Sequence, residues 1–310
     1  MTLNPPAIGY TIPTQHYVLA DHELRAKAKQ VAIQTAQMVH DKNIDPGNLV
    51  IAVGEVHGIL PINLFQYYLM GELKAQFSQL MVCDERQNQD ADTRLKPPKG
   101  LTHETLPDRL HDYPRNPFYV MPAYATHCHD IAYYPIDLNT DTTTGDYHTQ
   151  GLDDTFLKPY AHIPFVKGVY ESIAHDLPFC TDGETINARG EQGKTIRDLF
   201  MMDQIMRTQA QTNAPILTLN GALHLTDYKY PNRFTLQELL LVNGKDMVIV
   251  QLSPDRNDLE QRQTQQEVIT DRMTPQMRKH LHAITYFKTD WRGWYGADVM
   301  RTVMAAQIVP

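Results

Sequence analysis

The sequence predicts an α/β fold, namely a three-layer α/β/α domain with a mainly parallel central sheet. Short, continuously apolar runs alternate with longer segments in which apolar residues recur at helical spacing, an order that is typical of βαβ units. The chain has 310 residues, of which 42% are hydrophobic, enough to bury one sizeable core. No solenoid-type repeat is visible in the sequence. We therefore expect a single layered domain over residues 1–310.

The first part of the chain contains a predicted βαβ unit behind an N-terminal helix. Residues 21–41 place apolar side chains at helical spacing after an acidic cap, which predicts an amphipathic helix. The apolar run 49–53 predicts a strand that is buried on both faces of a parallel sheet. A helix over about 62–77 and a strand over 80–83 follow at the spacing of a βαβ unit.

The next segment, residues 87–117, is polar and rich in proline, aspartate and arginine. It is longer than an ordinary connection, so we expect an insertion, a lid or a mobile loop. A helix over 123–129 and a third strand over 131–136 come next, and Asp137 follows that strand as a further candidate for a functional site. Residues 137–151 have the composition of a turn-rich loop.

The remaining part of the predicted core continues the alternation of helices and strands. In chain order we predict a helix over 195–211, a strand over 216–219, a helix over 236–242 and a final strand over 247–252. The predicted core therefore spans about 48–252, and residues 253–310 form a C-terminal extension.

The composition argues against several classes of protein. The formal charge is −8 and no cluster of lysine and arginine stands out, unlike a typical nucleic-acid-binding protein. No run approaches the roughly eighteen apolar residues of a membrane span, and the N-terminal sequence lacks the features of a secretory signal. We therefore expect a cytoplasmic protein with no membrane partner. Cys83, Cys128 and Cys180 form no CxxC pair, so we expect reduced, structural thiols.

Polar residues follow three of the predicted strands. Glu55 and His57 come after the first strand, Glu85 after the second, and His224 after the strand at 216–219. The carboxyl ends of parallel strands meet at one edge of the sheet, so we expect these residues to line one cavity. Such a set could hold a metal ion or perform general acid and base catalysis. The alternative is that these side chains cap helices and satisfy loop backbone.

The same residues carry a resemblance to a known superfamily. Gly54-x-x-His57 and Gly221-x-x-His224 form a pair of GxxH motifs, and Glu85 closes the strand after the first of them. This pattern resembles the superfamily that includes the erythromycin esterases, the ChaN-like haem-binding proteins and the TraB/TIKI proteins.

Two further stretches extend the resemblance. The helix that begins at Thr195, with Arg197-Asp198-x-x-Met201, is similar to the Arg-Asp/Glu-x-x-Met helix that precedes the second histidine in the esterase and ChaN branches. The sequence NGALHL, followed by a helix, a glycine and a last strand, resembles the TraB-type ending. We expect the guanidinium of Arg197 to turn toward the carboxylates of the site rather than toward solvent.

The resemblance implies roles for five residues. His57 would be the base that activates water, while Glu55 and Glu85 would orient it or hold a cation. His224 would be a second base or a ligand, and Arg197 would pair with a carboxylate or an anionic intermediate. Members of the superfamily differ in chemistry: the esterases hydrolyse a lactone with a histidine base, TIKI members look like metal-dependent peptidases, and ChaN binds haem.

Three functions stay open at this point. The leading one is a hydrolase that acts on an ester, lactone or amide bond of a small-molecule or peptide substrate, with a divalent metal ion in one version. The second is a non-catalytic protein that binds haem, iron or another small ligand in the same pocket. The third is an interaction or effector protein with a degenerate pocket. No serine lies in a GxSxG elbow, and the sequence has no GxGxxG, Walker or HExxH motif.

Two other stretches contain residue types that can carry chemistry. His127-Cys128-His129-Asp130 has metal-binding residue types, but no second half lies at a recognisable spacing. We expect a packed Cys128 with exposed histidines there, and a functional role is the alternative. Residues 291–296 hold both tryptophans. We expect that turn to dock the C-terminal segment, and a substrate-facing aromatic wall is the alternative.

Overall fold

A computed structural model describes residues 14–55, 57, 60–87, 93–111, 117–138, 147–148, 185–186, 191–225, 235–254 and 273–289. The strands are β1 (Leu49–Glu55), β2 (Met81–Gln87), β3 (Ala132–Asp137), β4 (Tyr147–His148), β5 (Thr185–Ile186), β6 (Ile216–Gly221), β7 (Asp246–Pro254) and β8 (Leu281–Thr289). Six of them form one sheet in the order β3-β2-β6-β1-β7-β8, with every neighbouring pair parallel. The short strands β4 and β5 form a separate antiparallel pair.

Helices cover both faces of the large sheet. They are α1 (Thr14–Asp41), α2 (Leu60–Gln76), α3 (Leu106–His111), α4 (Pro117–Cys128), α5 (Glu191–Thr212), α6 (Leu236–Val242) and α7 (Pro275–His280). One buried apolar cluster joins the sheet to α1, α2, α3 and α4. A second cluster on the opposite face joins it to α5, α6 and α7. The predicted three-layer α/β/α fold is therefore confirmed.

The sequence pattern of β1 explains its central place in the sheet. All seven of its residues are buried, and the strand pairs with β6 on one side and β7 on the other. A strand covered by helices on both faces needs apolar side chains at successive positions, which is what the run 49–53 provides. The pairing places Glu55 opposite Gly221, so the polar ends of these two strands lie side by side.

The element boundaries differ from the predictions at several places. Helix α1 begins at Thr14, ahead of the predicted start at residue 21, and α4 begins at Pro117, although its prediction started at residue 123. Pro122 lies inside α4, and a proline usually marks a helix boundary, which explains the late predicted start. Helix α6 matches its prediction, and its Thr235 cap forms a capping box with Glu238.

The strand at 247–252 was predicted to be the last one, and this is wrong. Strand β8 pairs with β7 and forms an edge of the sheet. Its sequence, LHAITYFKT, mixes polar and apolar residues, and the described side chains from Leu281 to Thr285 are only partly buried. An edge strand needs no continuous apolar run, so the pattern that reveals β1 is missing in β8. The sheet thus extends into the predicted C-terminal extension.

The described part of the predicted insertion, residues 93–111, packs on the domain. It contains a 3₁₀ turn over Thr93–Leu95 and the helix α3. Four leucines of this part are buried in the apolar cluster beneath it, namely Leu95, Leu101, Leu106 and Leu110. A role as an insertion or lid stays a prediction.

Other predictions meet the structure only in part. His127 is exposed, whereas Cys128 and His129 are half-buried, and the ring of His129 packs against Tyr67 and His103. Residues 291–296 and most of the predicted loop at 137–151 lie outside the described residues. None of the described helices combines the length and hydropathy that a membrane span requires. The cytoplasmic location stays a prediction.

Candidate functional site

The carboxyl ends of β1, β2 and β6 bring the predicted site residues together. The ring of His57, after β1, and the ring of His224, after β6, both approach Glu85, near the end of β2. Nε2 of His57 lies 3.9 Å from Oε2 of Glu85, and Nε2 of His224 lies 3.0 Å from Oε1 of the same carboxylate. Glu85 is therefore the centre of the site, and Glu55 joins it through His57.

Glu55 and His57 form a hydrogen-bonded pair at the mouth of the site. Nδ1 of His57 lies 2.7 Å from Oε1 of Glu55. Because a carboxylate accepts, the hydrogen of the neutral imidazole is on Nδ1 and the lone pair is on Nε2. The side chain of His57 is 49% exposed, whereas that of Glu55 is 3% exposed. The imidazole is thus half-exposed while a buried carboxylate holds its Nδ1.

The surroundings of His57 raise its proton affinity. Burial lowers the pKa of His57, but the hydrogen bond and charge of Glu55 and the charge of Glu85 outweigh it. The pKa of His57 is therefore raised above its ordinary value, although Arg86 opposes this effect. His57 is consequently a stronger base than a free histidine.

Glu85 is held by donors on both oxygens. Oε1 accepts from Nη2 of Arg197 at 2.6 Å and faces Nε2 of His224 at 3.0 Å. Oε2 accepts from the backbone N–H of Gly221 at 2.5 Å. Burial alone would raise the pKa of Glu85, but the positive charges of His224 and Arg197 hold it well below its usual range. Glu85 is therefore an anion at neutral pH.

His224 lies in a 3₁₀ turn after β6 and is buried between two carboxylates. Its Nδ1 bonds to Asp198 and its Nε2 to Glu85, so both ring nitrogens act as donors. Burial lowers the pKa of His224, but the charges of Glu85 and Asp198 raise it to about 9. An imidazole that is protonated has no lone pair. The roles of His224 as a second base or a metal ligand stay predictions.

Helix α5 supplies two consecutive residues to the site. Arg197 binds Asp137 through two parallel bonds, from Nε to Oδ1 at 3.0 Å and from Nη2 to Oδ2 at 2.6 Å. Its side chain is 12% exposed, and it faces the carboxylates as expected. Asp198 is fully buried against His224. Asp198 was not among the predicted site residues, although its place beside Arg197 in the motif was a usable signal.

A second buried pair lies on the other side of Glu55. Nη2 of Arg86 is 3.8 Å from Oε1 of Glu55, and its Nη1 is 3.7 Å from Oδ1 of Asp84. Tyr133 donates to Oδ2 of Asp84 at 2.8 Å, and burial raises the pKa of Asp84 to about 6. The sequence analysis did not single out Arg86. Side chains alternate between the two faces of a strand, so Asp84 and Arg86 share one face of β2 and Glu85 lies on the other. This alternation is the sequence feature that could have indicated Arg86.

Gly221 forms the floor between the two histidines. A Cβ atom at this position would lie 3.1 Å from Nε2 of His57 and 3.2 Å from Oε2 of Glu85. Any side chain would therefore crowd the space in which these two groups approach each other. This close approach explains the glycine of the second GxxH motif.

The described residues do not support the divalent metal ion that the sequence allowed. Within them, no group of three or more His, Cys, Asp or Glu side chains is arranged to hold a metal ion. Glu85 already binds Arg197 and Gly221, and His224 offers both nitrogens to carboxylates. The residues at this edge therefore do not fit a metal ion, and no reaction step is derived through one.

Comparisons with known proteins add two structural likenesses. No family model and no curated protein matches the chain. A crystal structure of a Bacillus cereus protein has a TM-score of 0.37 at 10% identity, covering 69% of this chain and 67% of the other. A structure described as cofacial heme binding to ChaN of Campylobacter jejuni has a TM-score of 0.33 at 11% identity, covering 70% of this chain and 85% of the other. The resemblance to erythromycin esterases and TraB proteins stays a prediction.

Proposed function

We propose that the chain is a hydrolase in which His57 takes a proton from water for attack on an ester, lactone or amide carbonyl. The observation that carries this proposal is the pair of Glu55 and His57. Glu55 holds Nδ1 of the imidazole at 2.7 Å, and the side chain of His57 is half-exposed. An imidazole oriented by a carboxylate on one nitrogen is the arrangement that general bases use.

The reaction would proceed by direct attack of water. Nε2 of His57 accepts a proton as the water oxygen forms a bond to the carbonyl carbon. The protonated imidazole then gives that proton to the leaving oxygen or nitrogen as its bond to the carbonyl carbon breaks. Glu55, and Glu85 at 3.9 Å, stabilise the positive charge on His57 between these two steps.

The buried ion network beneath His57 supports a preorganised site. Asp198, His224, Glu85, Arg197 and Asp137 alternate in charge, and each contacts the next. Both oxygens of Glu85 are fixed by this network and by the backbone of Gly221. The negative charge near His57 therefore needs no rearrangement when the imidazole becomes protonated.

The described cysteines favour water over a thiolate as the nucleophile. Burial raises the pKa of the Cys83 thiol, and burial together with the charge of Glu104 raises that of Cys128 to about 11. A nucleophilic cysteine needs a lowered pKa, so these two thiols have the wrong chemistry. Cys180 lies outside the described residues.

A second candidate function uses the same imidazole. His57 would hold the iron of a bound haem, and Glu55 would fix the orientation of the ring as a hydrogen-bond acceptor. Bound haem would supply ligand binding or redox chemistry, and the chain would contribute the orientation of His57. In this candidate the chain is a binding protein of the ChaN-like type without hydrolytic activity.

The two candidates are separated by activity and by absorption. We would measure hydrolysis of a panel of simple esters, lactones and peptides by the wild type, by His57→Ala and by the matched control His127→Ala, which alters an exposed histidine. We expect His57→Ala to lose about 10²- to 10⁴-fold in rate, while His127→Ala and added chelator leave the rate unchanged.

Two outcomes would overturn the proposal of a hydrolase with His57 as its base. One is the absence of hydrolysis across the panel, and the other is full activity in His57→Ala. Titration of the same proteins with haemin, followed by visible absorption, tests the second candidate. A shifted absorption band that forms with the wild type and is lost in His57→Ala, without any hydrolysis, would favour haem binding.

A further inference from the structure

Gln66 of α2 is a buried residue that contacts the site through Glu55. Its Nε2 donates to Oε2 of Glu55, and its Oε1 accepts from Nδ2 of Asn63 at 3.3 Å. The residue is 1% exposed. Because a carboxylate only accepts, the NH₂ end of the Gln66 amide points at Glu55. A chain of hydrogen bonds thus runs from Asn63 through Gln66 and Glu55 to His57.

The two oxygens of Glu55 have different partners. Oε1 takes the hydrogen bond of His57, and Oε2 takes that of Gln66. The last torsion of a glutamate is broad, so one partner alone would not fix the plane of the carboxylate. The nearby guanidinium of Arg86, at 3.8 Å from Oε1, is a competing attraction. Gln66 therefore supplies the second point that keeps Oε1 directed at His57.

We propose, on the basis of the role proposed above for His57, that Gln66 is a positioning residue that holds Glu55 in the orientation that His57 requires. An amide suits this task because it donates a hydrogen without adding charge. A lysine or arginine at the same place would neutralise Glu55 and weaken its attraction for the imidazolium. Gln66 acts on the reacting groups only through Glu55.

The chain offers a matched pair of buried glutamines for the test. Gln209 of α5 is 2% exposed, and its Nε2 donates to the backbone oxygen of Leu49, at the opposite end of β1 from Glu55. We would record ¹H–¹⁵N NMR titrations of the His57 ring in the wild type, Gln66→Leu, Gln66→Glu and Gln209→Leu. In the wild type and in Gln209→Leu we expect the neutral ring to carry its hydrogen on Nδ1.

Gln66→Leu should change the ring of His57 without unfolding the chain. We expect the preference for Nδ1–H to be lost and the pKa of His57 to fall by roughly one unit, because the carboxylate of Glu55 is no longer held in the orientation that bonds Nδ1 of His57. Gln66→Glu can donate to Glu55 only while the introduced carboxyl is protonated. At a pH at which the introduced carboxyl is ionised and the His57 ring is neutral, we expect the preference for Nδ1–H to be lost.

These variants also distinguish failure of this proposal from failure of the hydrolase. The titration reads the tautomer and pKa of His57 directly, so it gives a result even if no substrate on the panel is hydrolysed. Wild-type tautomer and pKa in a folded Gln66→Leu would overturn the role of Gln66. If Gln66→Leu does not fold, Gln66→Glu decides, and a neutral His57 ring that keeps its hydrogen on Nδ1 while the introduced carboxyl is ionised would overturn it equally.

Discussion

The two histidines of the site differ in how many carboxylates they hydrogen-bond and in how exposed their side chains are. His57 bonds to one carboxylate and its side chain is 49% exposed. His224 bonds to two carboxylates and is buried. One imidazole is thus suited to exchange a proton with a substrate, and the other is a fixed positive charge that holds Glu85. Residue type and position in a GxxH motif are the same for both, so only their neighbours separate these roles.

The charge on His224 predicts a pH dependence of stability. The folded-state pKa of about 9 lies above the ordinary value of 6.5, so protonation of His224 stabilises the fold below pH 6.5. This contribution is lost as the pH rises from 6.5 through 9, and it is on the order of 3 kcal/mol. The free energy of urea unfolding, measured at pH 6 and pH 9, should fall more for the wild type than for His224→Gln. Equal falls in the two proteins would contradict this prediction.

A second prediction at this scale concerns the arginines of α5. Arg197→Gln leaves Glu85 and Asp137 without a shared cation in a buried site, so we expect a loss of about 3 to 5 kcal/mol. Arg207→Gln is the matched control on the same helix. The side chain of Arg207 is 58% exposed and bonds to one buried carboxylate, that of Asp203, whereas the side chain of Arg197 is 12% exposed and binds two, so we expect a smaller loss in Arg207→Gln. Similar unfolding free energies for the two variants would contradict the prediction that the more buried arginine contributes more to stability.

At the scale of single elements, a strand that is buried on both faces is easier to predict from the sequence than a strand at the edge. Strand β1 is covered on both faces, so its apolar run is continuous and the strand is visible in the sequence. Strand β8 lies at the edge and its described side chains are only partly buried, so its sequence alternates less clearly. Strand β8 is attached by contacts with residues that are distant in sequence, and a local sequence pattern does not reveal such contacts.

One such contact fixes the start of β8. Asp246, the first residue of β7, faces Nδ1 of His280 at 3.0 Å and Nε2 of His282 at 2.8 Å. Its other oxygen accepts from Asn48 at 3.0 Å. We expect Asp246→Ala to cost about 1 to 3 kcal/mol, since it leaves these donors without their acceptor. Amide hydrogen exchange should accelerate first in β8.

The control for this prediction is Glu23→Ala, which removes an exposed carboxylate from α1. That variant should leave the exchange rates of β8 unchanged. If Asp246→Ala also leaves them unchanged, the hydrogen bonds of Asp246 do not hold the edge strand, and the packing of Phe287 on Phe65 becomes the main attachment of β8.

At the scale of the whole fold, the described residues form one buried apolar cluster on each face of the sheet, and four leucines of residues 93–111 belong to the first. Leu95 in this segment is fully buried. We expect Leu95→Ala to lower the free energy of unfolding by about 2 to 5 kcal/mol, as truncation of a core leucine does. Ile33→Ala, at a position that is 46% exposed, should change it by less than about 0.5 kcal/mol. No loss in Leu95→Ala would indicate a lid that detaches from the core.

The sequence predicts the layered fold and the edge of the sheet at which the site lies, because strand ends in a parallel sheet meet at one edge. It does not predict how the charges pair there. The positive charge of His224 depends on Asp198, which lies on helix α5. The orientation of the Glu55 carboxylate depends on Gln66, which lies on helix α2. These contacts are set by how helices pack on the sheet, and no local spacing encodes them.

The pH dependence of kcat/KM tests the role of His57 most directly. The measurement uses the panel substrate that the wild type hydrolyses fastest, and the NMR titration of His57 in the same free protein. Because the base must be unprotonated, kcat/KM should rise about tenfold per pH unit at low pH and level off above the pKa of His57, at a value above 6.5. We expect the two inflections to coincide. A rate profile with no inflection at the pKa of His57, or one that follows His224 near pH 9 instead, would contradict His57 as the general base.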